Sequence, residues 1–237
     1  LARSPAVDPR DGGLVYLAGG DKRLHAVDRQ KGTAVWAADI DDAPGAPLAL
    51  AGGVVLGSGS GALLAFDAAG KPRWQVRLGG AIAAAPTATG DLLLVGAADG
   101  ILYAVRAADG VEVWRYQTGG PLVASAAAAG DLAVVGSRDK NLYLLAAKDG
   151  RLLDTFQAGA PLQAAPLLHA GLAYIGSDEG ALHALAIESR AEGGARLRRR
   201  WTFHVNGAAP VRTTPAVIAN RLVFGANDRH VYALDLD

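Results

Sequence analysis

The sequence predicts an all-β fold, a β-propeller of four-stranded antiparallel blades. Three observations predict it: a short frame that recurs about every 40 residues, turn signals about every 8–12 residues, and near-continuous apolar runs between the turns. The clearest copy of the frame is Gly96-Ala97-Ala98-Asp99-Gly100-Ile101-Leu102-Tyr103-Ala104-Val105. It recurs as Gly136-Ser137-Arg138-Asp139 with Leu142-Tyr143, Gly176-Ser177-Asp178-Glu179 with Leu182-His183, and Gly225-Ala226-Asn227-Asp228 with Val231-Tyr232. Earlier copies are Ala18-Gly19-Gly20-Asp21 with Leu24-His25, and Gly57-Ser58-Gly59-Ser60 with Leu63-Leu64. The lead positions 18, 57, 96, 136, 176 and 225 are 39, 39, 40, 40 and 49 residues apart.

Within one repeat the predicted strands are Ala85–Ala88, Leu92–Val95, Ile101–Val105 and Glu112–Tyr116. Gly and Asp-Gly pairs between them supply the positive φ that tight turns need. The first strand opens on a small residue and proline, as in Ser4-Pro5, Ala46-Pro47, Ala85-Pro86, Ala165-Pro166 and Thr214-Pro215; Ser125-Ala126 lacks the proline. The fourth carries a tryptophan four residues after a glycine, in Gly32/Trp36, Gly70/Trp74 and Gly110/Trp114; after Gly150 the slot holds Asp154, and Trp201 fills it in the fifth copy. Strands apolar on both sides imply sheets covered on both faces, as when blades stack. Helical repeats of similar period are excluded by the breaks. One propeller domain spans 1–237, with repeats at about 1–42, 43–81, 82–121, 122–161, 162–210 and 211–237. The sixth lacks its outer strand, which implies a three-stranded last blade or part of a seven- to eight-bladed ring.

Composition narrows the function. Lys+Arg and Asp+Glu are 23 each, so no global basic field exists to hold nucleic acid or an anionic membrane. The absence of Cys removes disulfides, thiolate metal sites and cysteine nucleophiles. No apolar run is long enough to span a membrane. The chain opens at Leu1, which reads as a processed, trimmed or excerpted product.

The chemical candidates are weak. His25 and His183 take the slot of Tyr103, Tyr143 and Tyr232, a packing position with a polar tip; His204 reads as a solvated strand end, and His169 and His230 as turn residues. Asp39, Asp41 and Asp42 lack the ligand order of a calcium loop, and Gly57 to Gly61 precedes a strand rather than a phosphate-binding helix. No catalytic, metal or cofactor-binding residue is assigned. The outlier is Arg196, Arg198, Arg199 and Arg200, in an insertion of the fifth repeat, read as a solvated hairpin extension offset by Glu188 and Glu192. Residues expected to meet a protein partner are Lys22, Arg23, Arg138, Lys140, Arg229 and His230 in the turns, Arg198, Arg199 and Arg200 in the insertion, and the apolar Leu122 with Leu162 on the same face.

The strings Val231-Tyr232-Ala233-Leu234-Asp235 and Ala108-Asp109-Gly110-Val111-Glu112-Val113-Trp114 resemble the PQQ-like repeat of the quinoprotein propellers, across essentially the whole chain. The resemblance implies that Trp36, Trp74, Trp114 and Trp201 dock between blades. Family dehydrogenases hold the quinone beside a vicinal cysteine pair and bind calcium nearby; this chain has no cysteine and is much shorter. The sequence is more similar to the family's non-catalytic scaffolds, typified by a lipoprotein of the outer-membrane barrel-assembly machinery. That similarity implies protein partners, no cofactor, and a cell-envelope setting on the periplasmic side of the outer membrane, with a signal or lipid anchor removed. The alternatives are a quinone-dependent oxidoreductase or its degenerate relative, and the extracytoplasmic sensor propeller of a larger receptor.

Overall fold

The computed structural model describes residues 4–10, 13–191 and 194–236. Glu192, invoked above as a counter-charge, lies outside them. Among the described residues are six antiparallel sheets, five of four strands and a last one of three. One three-residue 3-10 turn, Asn206–Ala208, is the helical element. In the five four-stranded sheets and in the last, each strand pairs with its sequence neighbour.

The chain divides into two compact units, residues 1–115 and 116–237. The first contains β1 (Ala6–Val7), β2 (Leu14–Ala18), β3 (Arg23–Asp28) and β4 (Ala34–Asp39), followed by β5 (Pro44–Leu50), β6 (Gly53–Ser58), β7 (Ala62–Asp67) and β8 (Pro72–Arg77). The third sheet has β9 (Thr87–Thr89), β10 (Leu92–Gly96), β11 (Ile101–Arg106) and β12 (Glu112–Gln117). The second unit holds β13 (Ala127–Ala129), β14 (Leu132–Gly136), β15 (Asn141–Ala146) and β16 (Leu152–Gln157). Then come β17 (Leu167–His169), β18 (Leu172–Gly176), β19 (Ala181–Ser189) and β20 (Ala195–His204), and finally β21 (Ala216–Ile218), β22 (Arg221–Gly225) and β23 (Val231–Asp235).

The repeat frame maps onto these strands. Second strands are the most buried, with every residue of β6 and β10 inside, whereas the outermost β4 and β8 alternate. First strands are shorter than the sequence suggests: β9 begins at Thr87, beyond Pro86. Proline has no N–H to give the ladder, so pairing starts after it. In the second sheet Pro47 does pair, opposite Leu56, at the cost of a register irregularity after Pro44. His169, expected in a turn, is the last residue of β17, opposite Leu172.

Apolar layers fill the space between neighbouring sheets. Tyr16, Leu24 and Ala26 of the first sheet share a core with Leu56, Leu64 and Phe66 of the second. In the second unit Val134, Leu142 and Leu144 pack on Ala173, Ile175 and Leu185, and Tyr174 and Leu182 pack on Leu222 and Phe224. Each fully buried Leu in such a layer contributes about 1.5–3 kcal/mol. In β14 and β18 the glycine that ends the second strand lies under this stacking, with Leu162 over Gly136 and Val211 over Gly176. At Gly176 a Cβ would sit 2.4 Å from the Val211 carbonyl oxygen, so no larger residue fits without moving backbone.

The 49-residue interval in the fifth repeat is a longer hairpin. β19 has nine residues and β20 ten, and the arms pair out to Ser189 and Ala195. No helix among the described residues is long and apolar enough to cross a membrane.

Candidate functional site

The turns between second and third strands carry a recurring device. An acid at the turn is followed four residues later by a ring: Asp21/His25, Asp99/Tyr103, Asp139/Tyr143, Glu179/His183 and Asp228/Tyr232. The Tyr103 hydroxyl donates to Asp99 Oδ2 at 2.7 Å, the Tyr143 hydroxyl to Asp139 Oδ2 at 2.7 Å, and Tyr232 likewise to Asp228. The other carboxylate oxygen accepts the backbone N–H two residues on, from Ile101, Asn141 and His230. The loop arriving from the preceding sheet closes on the pair. Gly79 N–H donates to Tyr103 Oη at 3.0 Å, and Gly119 N–H to Asp139 Oδ2 at 2.6 Å. Burial, reinforced by Asp139, raises the Tyr143 hydroxyl above its usual range, so the phenol keeps its proton and stays a donor. The sequence carried the signal, an acid and a ring four residues apart, but composition alone gives it no partner.

The fifth sheet carries the variant copy. In the first sheet the imidazole still reaches its acid, His25 Nε2 lying 2.7 Å from Asp21 Oδ2, but His183 Nε2 ends 3.6 Å from Glu179 Oε1, beyond hydrogen-bond reach. His183 is 4% exposed, and its Nε2 is buried with no hydrogen-bond partner. Nδ1 lies 3.1 Å from Thr202 Oγ1, and the Phe156 ring stands edge-on at 5.3 Å. Burial first, then the charges of His204 and Arg199, push the His183 pKa down to about 4. Where the phenol is missing a cavity of about 530 Å³ opens, lined by Phe156, Gln157, Glu179, His183, Arg199, Thr202 and His204 among others.

The partner-facing residues predicted from sequence fall into three groups. Lys22, Lys140 and Arg229 are exposed and occupy the same turn position at φ 60°, 79° and 70°. Glycines Gly61, Gly100 and Gly180 hold that position in the other repeats, at φ 83°, 82° and 77°. Near them Arg138 is exposed, Arg23 pairs with Asp39 at 2.9 Å, and His230 Nδ1 lies 3.5 Å from Asp228 Oδ2. The second group is the insertion, where Arg196, Arg198 and Arg200 converge on Glu188 at 2.9, 3.6 and 3.7 Å. These cations hold the Glu188 carboxyl below its usual range, Arg196 foremost. Arg199 faces the other way and lines the cavity. The third group is a correction: Leu122 is 2% exposed and Leu162 fully buried, so neither offers an apolar contact to a partner. The reason is the glycine frame, since Leu162 packs over Gly136 as Ile82 does over Gly57.

The tryptophans behave as docking residues where their contacts are defined. Trp36 Nε1 donates to the Ala68 carbonyl at 2.9 Å and Trp74 Nε1 to that of Ala107 at 3.1 Å, each reaching the next sheet. Trp114 is 8% exposed, and Trp201 packs with the sixth sheet's cluster. Asp154, in the tryptophan slot of the fourth sheet, accepts the Leu197 N–H at 2.6 Å and so grips the long hairpin instead. The acidic run disperses: Asp39 meets Arg23, Asp41 accepts from Ser60 at 2.6 Å, and Asp42 sits 3.9 Å from Lys22. Among the described residues no three His, Asp or Glu side chains are grouped to hold a metal. His204 ends β20 as an exposed residue.

Comparison with known proteins agrees with this architecture. A curated relative, the outer membrane protein assembly factor BamB of Nitrosomonas eutropha, is 32% identical over 104 residues, 44% of this chain. The chain matches only a quarter of that protein's length. The crystal structure of BamB from Moraxella catarrhalis superposes with a TM-score of 0.81 at 20% identity, over 97% of this chain and 72% of that one. The computationally designed Ika8 protein gives 0.82 at 16% identity over 99% and 70%, and the C-terminal WD40 domain of Sif2 gives 0.82 at 14% over 98% and 69%. At those identities the structures establish the fold, a β-propeller. The family described as outer membrane protein assembly factor BamB matches residues 20–237, and the chain belongs to that family.

Proposed function

We propose that the chain is a non-catalytic, protein-binding scaffold of the bacterial cell envelope, working at the periplasmic side of the outer membrane in the assembly of β-barrel proteins. Its family and the name of its curated relative support the setting. One observation carries the binding residues: in each unit the left-handed turn position holds an exposed cation, Lys22 in the first and Lys140 and Arg229 in the second, where sister repeats hold glycine. A non-glycine residue there costs about 1 kcal/mol in backbone strain. Stability alone would favour glycine; retaining an exposed cation suits docking of an acidic partner segment.

The test is co-purification of envelope assembly proteins with the wild type and with the charge-reversed triple variant Lys22→Glu, Lys140→Glu, Arg229→Glu. At least a tenfold loss of captured partner is expected, with the thermal transition little changed. Full retention would refute the surface. Lys140→Gly should leave stability equal or slightly higher while weakening capture. Reconstitution with the quinone and calcium should give no dye-linked alcohol oxidation; turnover would overturn the non-catalytic reading.

A further inference from the structure

We propose that the cavity between β16 and β20 is a binding site for a carboxylate group, with Arg199 as its ionic anchor and His183 as its buried hydrogen-bond donor. The inference does not depend on the scaffold reading. Three observations carry it. The first is a built polar wall: His183 is 4% exposed and Nε2 is buried without a partner, while lining a cavity of about 530 Å³. A buried polar nitrogen left unpaired costs about 1–3 kcal/mol, which a ligand oxygen would recover. If the Thr202 hydroxyl donates to Nδ1, 3.1 Å away, the ring proton sits on Nε2, the donor a carboxylate needs.

The second observation is the placement of Arg199. It pairs across the ladder with Leu185, and the next pair is Trp201 with Ala184, so Arg200 is the extra residue of a bulge. A bulge re-aims side chains, and here it brings Arg199, Thr202 and His204 to one side. The same register position holds Ala34 opposite Val27, Pro72 opposite Phe66 and Leu152 opposite Leu145 in other sheets. Among these four sheets the fifth alone holds a cation there. While Arg196, Arg198 and Arg200 share Glu188, Arg199 makes no ion pair among the described residues.

The third is charge balance. Glu179 also lines the cavity, so the site offers one guanidinium against one carboxylate, with His183, kept neutral by its burial, and His204 beside them. That balance admits a planar monoanion, which matches the guanidinium fork, and repels a phosphate dianion.

Such a carboxylate comes either from a small free acid or from an acidic side chain of a polypeptide. The test is a titration of the intact protein followed through the His183 ring resonances, using sodium benzoate in one arm and a capped tetrapeptide with one internal glutamate in the other. Saturable shifts at His183 are expected. Saturation by benzoate alone assigns the free acid, by the peptide alone the side chain, and by both a general carboxylate site. Arg199→Ala, at an exposed position that folding tolerates, should weaken binding about tenfold or more. His183→Tyr, which restores the sister phenol, should fill the cavity and abolish it. No saturation with either probe, binding unchanged in Arg199→Ala, or equally tight binding of inorganic phosphate would overturn the proposal.

Discussion

The fourth and fifth sheets carry the same acid-and-ring device in two states. In the fourth, Asp139, Tyr143 and the Gly119 N–H close on one another, and the Tyr116 ring packs on Tyr143 at 5.6 Å. In the fifth, Glu179 and His183 stand 3.6 Å apart and a cavity takes the phenol's place. A repeat position is structural only while every member of its network is present. Shortening the ring, with the acid one methylene longer, frees the same scaffold position for chemistry.

The feature shared by both sheets, the glycine ending the second strand, gives the largest expected effect. At Gly176 an added Cβ meets the Val211 carbonyl oxygen at 2.4 Å, a backbone contact that cannot rotate away. At Gly136 the nearest atom is Leu162 Cβ at 3.0 Å, so a shift of a few tenths of an ångström relieves the contact. Gly176→Ala should therefore cost about 3 kcal/mol, and Gly136→Ala under about 1 kcal/mol because a stiffer unfolded chain offsets part of the clash. Urea unfolding of the two variants checks the order. Equal costs would mean that the two junctions are equally compliant.

The buried imidazole gives the next effect, and its sign follows from linkage. The folded pKa of His183 is about 4, below its ordinary 6.5, so the native state resists the proton that the unfolded chain accepts. The groups around it are Glu179, and Arg199 and His204 from β20; the β16 wall, Phe156 and Gln157, carries no charge. Above pH 6.5 proton linkage at this group contributes nothing, and as pH falls from 6.5 to 4 stability declines by up to about 3 kcal/mol. Unfolding free energies at pH 7.5 and 4.5 should differ by less in His183→Phe than in the wild type. An identical pH dependence would place the acid sensitivity elsewhere.

The glycine frame, the tryptophan slot and the proline-led strands made the six sheets legible, because the same backbone geometry favours the same residue types at most copies, with Ala18, Asp154 and Ala126 as the departures. The hairpin in the fifth repeat was legible from the longer interval and from an arginine run offset by Glu188. Leu122 and Leu162 were misplaced on the surface because a Pro-Leu step in a loop gives no sign of the glycine beneath it. The cavity was hidden for a different reason. His183 reads as a conservative stand-in for tyrosine, and its consequence lies in a missing volume, which has no residue-level signature. Asp154 illustrates the same limit. Its departure from tryptophan was plain, but its bond to Leu197 spans 43 positions.

The smallest effect discriminates the two sheets most directly. Removing the hydroxyl with Tyr143→Phe leaves Asp139 without its 2.7 Å donor in a partly buried site, so about 1–2 kcal/mol of stability should be lost. His183→Phe removes a nitrogen that has no partner, along with one hydrogen bond to Thr202, and adds apolar volume beside Phe156. These contributions oppose one another, and the net change at pH 7.5 should lie within about 0.5 kcal/mol of zero. The pair of substitutions removes one polar group from each device, so its asymmetry measures whether the network is closed. If His183→Phe costs as much as Tyr143→Phe, the imidazole is engaged in a contact that holds the fold, and the fifth sheet's device is as closed as the fourth's.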